Sequence, residues 1–159
     1  MKTKTNKRIW TYVGFIGGAL AVGAVSALVS MKGFKEFPML KKPPLSPPAA
    51  VFPIAWTALY ALMGVAAARI SIADTPESKP ALRVWAAQLI VNGLWTPIFF
   101  GLEWRLTAFV VLMLLIVLVV MTIGRFKRID VPAGNLLLPY LVWLLFAAYL
   151  NMGVYLLNR

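Results

Sequence analysis

Five long stretches without a charged side chain divide this sequence and limit what it can fold into. A helix rises 1.5 Å per residue, so about 20 apolar residues cross the roughly 30 Å hydrocarbon core of a bilayer. The stretches predict membrane-spanning helices at residues 9–31, 49–68, 84–102, 106–124 and 136–157. Their apolar character is continuous, whereas the strands of a membrane barrel alternate. We therefore expect an all-α integral membrane bundle of five transmembrane helices, forming a single domain over residues 1–159.

The composition agrees with a chain whose solvent is largely lipid. Hydrophobic residues make up 61% of the sequence and charged residues 13%, against about 45–50% and about 25% in soluble domains. A chain of 159 residues is too small to hide that much apolar surface from water. The net charge of +11 does not indicate a nucleic-acid partner, because the basic residues lie in the gaps between the apolar stretches. The lipid bilayer is the expected partner.

Residue types that are missing exclude several kinds of chemistry. The sequence has neither cysteine nor histidine, so disulfides, thiolate catalysis and the usual zinc or haem ligands are excluded. We expect no metal site and no resident cofactor. All five acidic residues lie outside the predicted spans. Ion-coupled pumps usually carry ionisable groups inside the membrane, so that class is disfavoured.

Polar and aromatic residues of the third stretch lie on one helical face. Their spacing is i, i+4, i+7 and i+11 in Gln88, Asn92, Trp95 and Phe99. Two amides on one face of a membrane helix are not expected to point at lipid. Either they form hydrogen bonds between helices that hold the bundle together, or they line a cavity with a polar edge.

The fifth stretch carries a second such face, with spacing i, i+3, i+4 and i+7 in Trp143, Phe146, Ala147 and Leu150. The small Ala147 either lets another helix approach closely or forms the floor of a pocket for a flat ligand. Trp56, Trp95 and Trp143 lie several residues inside their stretches. Tryptophans near charged loops are typical of the membrane interface, so these three are the better candidates for ligand contact.

The long connection at residues 35–48 contains five prolines. Proline fixes φ and lacks an N–H donor, so this composition predicts a stiff, polyproline-like path without helix. Such a segment suits a lid over the bundle, and a plain rigid spacer would have the same composition. The candidate lid residues are Lys41, Lys42, Pro43, Pro44 and Pro47.

Three separated motifs resemble one known family. Residues 42–48 (KPPLSPP) followed by 52–64 (FPIAWTALYALMG) look like the first loop and second helix of the tryptophan-rich sensory protein/translocator protein family. This is the TspO/MBR family, which includes the peripheral-type benzodiazepine receptor. The third- and fifth-helix motifs of that family are similar to Gln88-Leu89 with Asn92, Trp95 and 97–101 (PIFFG), and to 137–143 (LLPYLVW) with Phe146-Ala147 and 149–151 (YLN).

The resemblance implies a homodimer of five-helix bundles in a bacterial cell membrane. It implies a membrane receptor or sensor for porphyrins such as protoporphyrin, sterols or benzodiazepine-type drugs, which it would also transport or buffer. By position, the pocket would be lined by Trp56, Asn92, Trp95, Trp143, Ala147 and Leu150, with the proline loop as its cap. The family favours the third helix as the dimer interface, whereas Gly14, Gly17 and Gly18 would allow close packing by the first.

Two alternatives from other functional classes stay open. One is a light- and oxygen-dependent porphyrin-degrading enzyme, in which Trp56 and Trp143 would be the catalytic residues. Against it, the spans offer no ordinary acid, base or nucleophile. The other is a structural or assembly protein whose aromatic faces only pack helices together.

Some positions depart from the family pattern. Leu45 stands where many members have a loop tryptophan, which removes one stacking surface, and Val111 stands where many carry an acidic residue. A sterol-recognition consensus is formally met by Leu150, Tyr155 and Arg159, but such patterns are weak.

Overall fold

The computed structural model describes residues 2–159, with side chains from residue 5 onward. The first residue of the predicted 1–159 domain lies outside this part. Within it, seven helices follow one another: α1 (Lys2–Val29), α2 (Met31–Glu36), α3 (Val51–Ala73), α4 (Ser78–Thr96), α5 (Arg105–Ile129), α6 (Val131–Asn135) and α7 (Leu138–Leu157). A 3₁₀ turn at Phe37–Met39 follows α2, and a π-helical turn at Pro97–Gly101 follows α4.

Five segments are long and apolar enough to cross a membrane. They are Thr5–Val29, Val51–Ala73, Ser78–Gly101, Arg105–Ile129 and Val131–Leu157. Each overlaps one of the predicted stretches, which confirms the all-α membrane fold. The chain is a multi-pass membrane protein.

Two helices, α3 and α5, continue past the charged residues that bound their apolar stretches. α3 runs through Arg69, and α5 runs through Arg125 and Lys127. Charge limits how much of a helix lies in hydrocarbon, but Lys and Arg are good helix formers, and their long side chains can reach toward the interface. α3 and α5, with 23 and 25 residues, are therefore longer than the apolar stretches within them.

Large apolar side chains cover the outer surface of the bundle. Ile54 on α3, Val110 on α5 and Val142 on α7 are each more than 60% exposed. On a soluble protein, apolar patches of this kind mark contact or aggregation sites. Here they form the surface that faces acyl chains.

The backbones of α3 and α7 do not pack closely against each other. α1 packs against α3 and α4, α4 packs against α5, and α5 packs against α7. α3 and α7 approach each other mainly through aromatic side chains: the ring of Trp143 lies 6.1 Å from that of Phe52 and 6.4 Å from that of Trp56. The candidate site lies where these two helices face α4, which contributes Trp95.

The long loop is only partly extended. Residues 35–39 belong to the end of α2 and to the 3₁₀ turn, so the prediction of a path without helix across 35–48 was wrong for this part. Pro38 lies in the first turn of the 3₁₀ segment. A backbone N–H there would have no acceptor within the helix, so the proline costs no hydrogen bond. The extended path begins at Leu40.

The last membrane helix begins slightly later than the predicted span 136–157. Ala133 and Gly134 lie in the short helix α6 that precedes it. The break comes at residues 136–137, and α7 begins at Leu138 with a proline in its first turn. Gly134 fits there because a Cβ would lie 3.1 Å from the carbonyl oxygen of Ile123 on α5, so the short helix lies directly against its neighbour.

Close contact between α1 and α3 depends on Gly64. A Cβ at this position would lie 2.7 Å from the backbone nitrogen of Ile16 and 2.9 Å from the carbonyl oxygen of Phe15. Small residues at helix crossings allow this approach in membranes, where apolar burial alone does not bring helices together.

We expect Gly64→Ala to destabilise the protein by about 1–3 kcal/mol, because the new methyl group meets backbone that cannot turn aside. The midpoint of unfolding in detergent measures the effect. The matched control is Gly124→Ala on α5, where nothing lies within 4 Å of an added Cβ. That variant should be as stable as the parent or slightly more so, since alanine favours helix over glycine. Equal midpoints for the two variants would contradict this account of the α1–α3 contact.

Candidate ligand-binding site

The indole of Trp56 lies at the middle of a group of rings contributed by three helices. Its ring centre is 5.7 Å from that of Tyr60, 6.2 Å from Trp95, 6.3 Å from Tyr140 and 6.4 Å from Trp143. We call these five residues the aromatic cluster. The three tryptophans selected from the sequence are thus brought together rather than scattered: Trp95 is buried, and Trp56 and Trp143 are half-buried beside it.

Further rings connect the aromatic cluster with the base of the loop. Phe99 stacks on Trp95 with a centroid distance of 5.6 Å and an interplanar angle of 24°. Phe37, in the 3₁₀ turn, lies 6.3 Å from Phe99 and 6.0 Å from Phe52. Trp95 and Phe99 are buried. The rings therefore pack against one another from the aromatic cluster to the base of the loop.

A chain of hydrogen bonds lies directly behind the cluster. The hydroxyl of Tyr60 donates to Oδ1 of Asn92, and Nδ2 of Asn92 donates to the hydroxyl of Tyr140 at 2.8 Å. The Tyr140 hydroxyl donates in turn to Oε1 of Gln88 at 3.0 Å, and Nε2 of Gln88 lies 3.7 Å from the sulfur of Met63. Asn92 and Gln88 are each only 1% exposed. Of the two interpretations of this face, hydrogen bonding between helices is what the structure contains.

A second polar link positions the indole of Trp95. Its Nε1 donates to Oδ1 of Asn151 at 3.2 Å, and Nδ2 of Asn151 donates to the carbonyl oxygen of Arg105 at 2.7 Å. Asn151 is 1% exposed. Because α4, α5 and α7 meet at this amide, the orientation of the Trp95 ring is tied to the packing of all three helices.

The remaining residues selected on α7 have different positions. Ala147 and Leu150 are buried on the inner face of the helix. Phe146 is half-buried and contacts Trp143 and Tyr149, with ring centres 5.8 Å and 6.3 Å away. It therefore lies at the edge of the aromatic cluster, next to Trp143 rather than next to Trp56.

The proline loop is attached to the end of α7 by hydrogen bonds. Asn158 accepts from the backbone N–H of Lys41 at 3.0 Å and donates to the carbonyl oxygen of the same residue at 2.8 Å. The hydroxyl of Tyr149 donates to the carbonyl oxygen of Pro44 at 2.8 Å. We call these contacts the loop anchor. They hold the backbone of the loop, so they do not depend on which side chains the loop carries.

Packing contacts complete the loop anchor. Pro43 is buried against Gly153, where an added Cβ would lie 2.5 Å from the proline Cγ. The ammonium of Lys42 lies 5.1 Å from the centre of the Phe37 ring, within the range of a cation–π interaction. Of the other candidate lid residues, Pro47 is half-buried. The loop is thus attached to α7 along residues 41–44.

Sequence reasoning missed several residues that organise the site. The inner face of α7 contains, at spacings i, i+3, i+7 and i+11, Tyr140, Trp143, Ala147 and Asn151. Extending the predicted face in both directions would therefore have found Tyr140 and Asn151. Asn158 gave no comparable signal, because its partner is a backbone group 117 residues away.

Comparison with known proteins gives matches over nearly the whole chain. The profile of the TspO/MBR family matches residues 15–157. A tryptophan-rich sensory protein from Cereibacter sphaeroides is 40% identical over 148 residues, covering 93% of this chain and 89% of that protein. Protein CrtK from Rhodobacter capsulatus is 40% identical over 92% of this chain and 91% of its own. The translocator protein of Ovis aries is 38% identical over 76% of this chain and 73% of its own. The segment that the family profile matches includes the aromatic cluster and all residues of the loop anchor except Asn158.

We expect Tyr140→Phe to lower the stability of the bundle by about 1–3 kcal/mol. The hydroxyl accepts from one buried amide and donates to another, and both would lose a partner in a place that water does not reach. The unfolding midpoint in detergent measures this loss. Tyr155→Phe removes a hydroxyl that makes no hydrogen bond within residues 5–159 and should leave the midpoint unchanged. A midpoint for Tyr140→Phe equal to that control would show that the network contributes nothing to stability.

Proposed function

The chain belongs to the TspO/MBR family, and from this premise we propose that it is a membrane receptor for porphyrins and related flat hydrophobic ligands. The ligand would bind between α3, α4 and α7, among the rings of the aromatic cluster. The observation that carries the proposal is the contact of Trp56 with both Trp95 and Trp143, where α3, α4 and α7 face one another. Three indoles from three helices make a surface suited to a large planar π system.

The chemistry of a tetrapyrrole fits the distribution of polar groups. Its macrocycle would stack on indole and phenyl faces, as ligands do in pockets that are mostly apolar with few polar groups. Its propionates would extend toward the loop and meet the ammonium groups of Lys41 and Lys42. The amide of Asn92 already bonds two tyrosines. Recognition would therefore depend on stacking and on charge at the loop rather than on this amide.

The proposal includes passive transport or buffering rather than pumping. The five acidic residues all lie at helix ends or in connections. They are Glu36, Asp74, Glu77, Glu103 and Asp130. Coupling to an ion gradient normally needs ionisable groups within the membrane. A bound porphyrin would thus move only down its own gradient, or be held out of solution.

We further propose that the protein is a homodimer in a bacterial cell membrane. Support comes from the exposed face of α1, where Gly14, Gly17 and Gly18 have nothing within 4 Å of an added Cβ. A face of small residues lets a helix of a second subunit approach closely. The third helix, which the family resemblance favours, remains the other candidate interface.

The test is a titration of the full-length protein in detergent with protoporphyrin in the dark, followed by quenching of tryptophan fluorescence. Trp143→Leu should raise Kd about tenfold, because it removes one of the three indole surfaces of the site. Trp104→Leu is the matched control: Trp104 is 60% exposed and does not belong to the aromatic cluster, so its Kd should match the parent.

The other outcomes are equally informative. Absence of saturable quenching would refute the receptor proposal and leave a structural role. A new absorbing product that forms only under light would support the porphyrin-degrading alternative, and dependence of its rate on Trp143 would identify the indole involved.

The loop anchor should control how fast the ligand enters and leaves. Gly153→Ala places a methyl group against Pro43, and Asn158→Ala removes both hydrogen bonds to Lys41. We expect each to raise the association and dissociation rates of protoporphyrin about threefold to tenfold, with a smaller change in Kd. Stopped-flow fluorescence measures both rates, and Gly124→Ala serves as the control. Rates equal to those of the parent would mean that the loop is a spacer and not a lid.

A further inference from the structure

The hydroxyl of Ser26 on α1 makes its hydrogen bond to another helix. Thr57 and Thr122 donate to the carbonyl oxygen four residues earlier in their own helices, which is a usual partner for such a side chain. Ser26 instead donates to the carbonyl oxygen of Gly93 on α4, at 2.6 Å. Because Ser26 is buried between helices, the choice of this partner needs a physical reason.

The reason is that the carbonyl oxygen of Gly93 lacks its usual donor. In an α-helix this oxygen would accept from the backbone N–H of residue 97. Residue 97 is a proline, which has no N–H. Gly93 lies within the apolar segment Ser78–Gly101, and in a bilayer no water replaces a missing donor. Ser26 therefore supplies from α1 the hydrogen bond that Pro97 does not provide.

Gly93 also allows α1 to come close enough for this bond. A Cβ at this position would lie 2.9 Å from Cγ1 of Val22, which lies one turn before Ser26 on α1. Small residues permit such an approach between membrane helices. The same glycine thus provides both the room for α1 and the carbonyl oxygen that the serine reaches.

The chain beyond Gly93 carries part of the candidate site. Residues 97–101 form the π-helical turn, a feature that is frequent at functional sites. Trp95 and Phe99 lie on either side of Pro97 and stack with ring centres 5.6 Å apart. Since a proline loosens the helix around it, the course of the chain at Pro97 determines where these two rings lie.

The other end of the π-helical turn is held by α2. An added Cβ at Gly33 would overlap the carbonyl group of Phe100, and the ring of Phe34 lies 4.5 Å from that of Phe100. α2 begins two residues after α1 ends. The turn is therefore held on both sides by one continuous segment, through Ser26 at its start and through α2 at its end.

We propose that Ser26 is a positioning residue of the ligand-binding site, a role that rests on the proposed receptor function. α1 contributes no ring to the aromatic cluster, yet its hydroxyl fixes the course of α4 at Pro97 and with it the place of Trp95 and Phe99. Without this hydroxyl, the carbonyl group of Gly93 turns toward another donor, and the stacked rings move with it.

The test compares Ser26→Ala with the parent by dark titration with protoporphyrin and by near-ultraviolet circular dichroism, both on the full-length protein in detergent. Ser26→Ala should raise Kd about fivefold and change the tryptophan dichroism, because the indole of Trp95 shifts relative to that of Trp56. Ser30→Ala is the matched control. Ser30 is also buried, but its hydroxyl donates to the carbonyl oxygen of Ser26 within the same segment. This variant should match the parent in both measurements.

A double-mutant cycle with Pro97→Ala separates positioning from a general loss of stability. Pro97→Ala restores a backbone N–H for the carbonyl of Gly93, so adding Ser26→Ala in that background should change Kd less than about twofold. A similar rise in both backgrounds would overturn the proposal. An unchanged Kd and dichroism spectrum in Ser26→Ala alone would also overturn it, even where the unfolding midpoint falls.

A second variant covers the case in which Ser26→Ala does not fold. Ser26→Cys keeps a weak donor of similar size and should raise Kd in the same direction, whereas Ser26→Thr keeps the hydroxyl and should retain the Kd of the parent. Equal Kd values for the cysteine and threonine variants would contradict the positioning role.

The positioning role and the receptor function can fail separately. The dichroism of Ser26→Ala requires no ligand, so a changed spectrum supports the placement of Trp95 even where the parent shows no saturable quenching. Conversely, a raised Kd in Trp143→Leu together with a parental Kd in Ser26→Ala would support the receptor and refute the positioning role.

Discussion

A polar side chain inside a bilayer has no water to bond and must find its partner within the protein. This constraint determines how α3, α4 and α7 meet. The hydroxyl of Tyr140 joins the amides of Asn92 and Gln88, and Tyr60 joins the same chain from α3. Because these bonds are directional, they fix the rotation of each helix about its axis. The apolar rings beside them then have one arrangement, in which the indoles of Trp56, Trp95 and Trp143 converge.

Much of the architecture could be predicted from the sequence because lipid imposes strong rules. Apolar length predicted the five membrane helices, and the spacing of Gln88, Asn92 and Trp95 predicted an inward face. What escaped prediction depends on partners that are distant along the chain. Asn158 bonds the backbone of Lys41, and Asn151 bonds both Trp95 and the carbonyl of Arg105. No local pattern reports such pairs.

Backbone detail at the helix ends was also beyond the sequence. Proline count suggested an extended loop from residue 35, yet a proline in the first turn of a helix is compatible with helical structure. Leu45 has φ of 67° and its side chain is 84% exposed. A residue with a Cβ rarely adopts this left-handed conformation, and Leu45 does so directly after the part of the loop that is attached to α7.

The hydrogen-bonded chain behind the rings is not equally strong along its length. Asn92 bonds two tyrosine hydroxyls, whereas the amide nitrogen of Gln88 reaches only the thioether of Met63 at 3.7 Å, and a thioether is a weak acceptor. The hydrogen bonds of Asn92 are therefore strong, whereas the amide nitrogen of Gln88 is only weakly held. An acceptor oxygen close to Gln88 would compete only with the Met63 sulfur for the hydrogen bond from the Gln88 amide nitrogen. Gln88 can therefore exchange the acceptor of its amide nitrogen while the relative rotation of the helices stays the same.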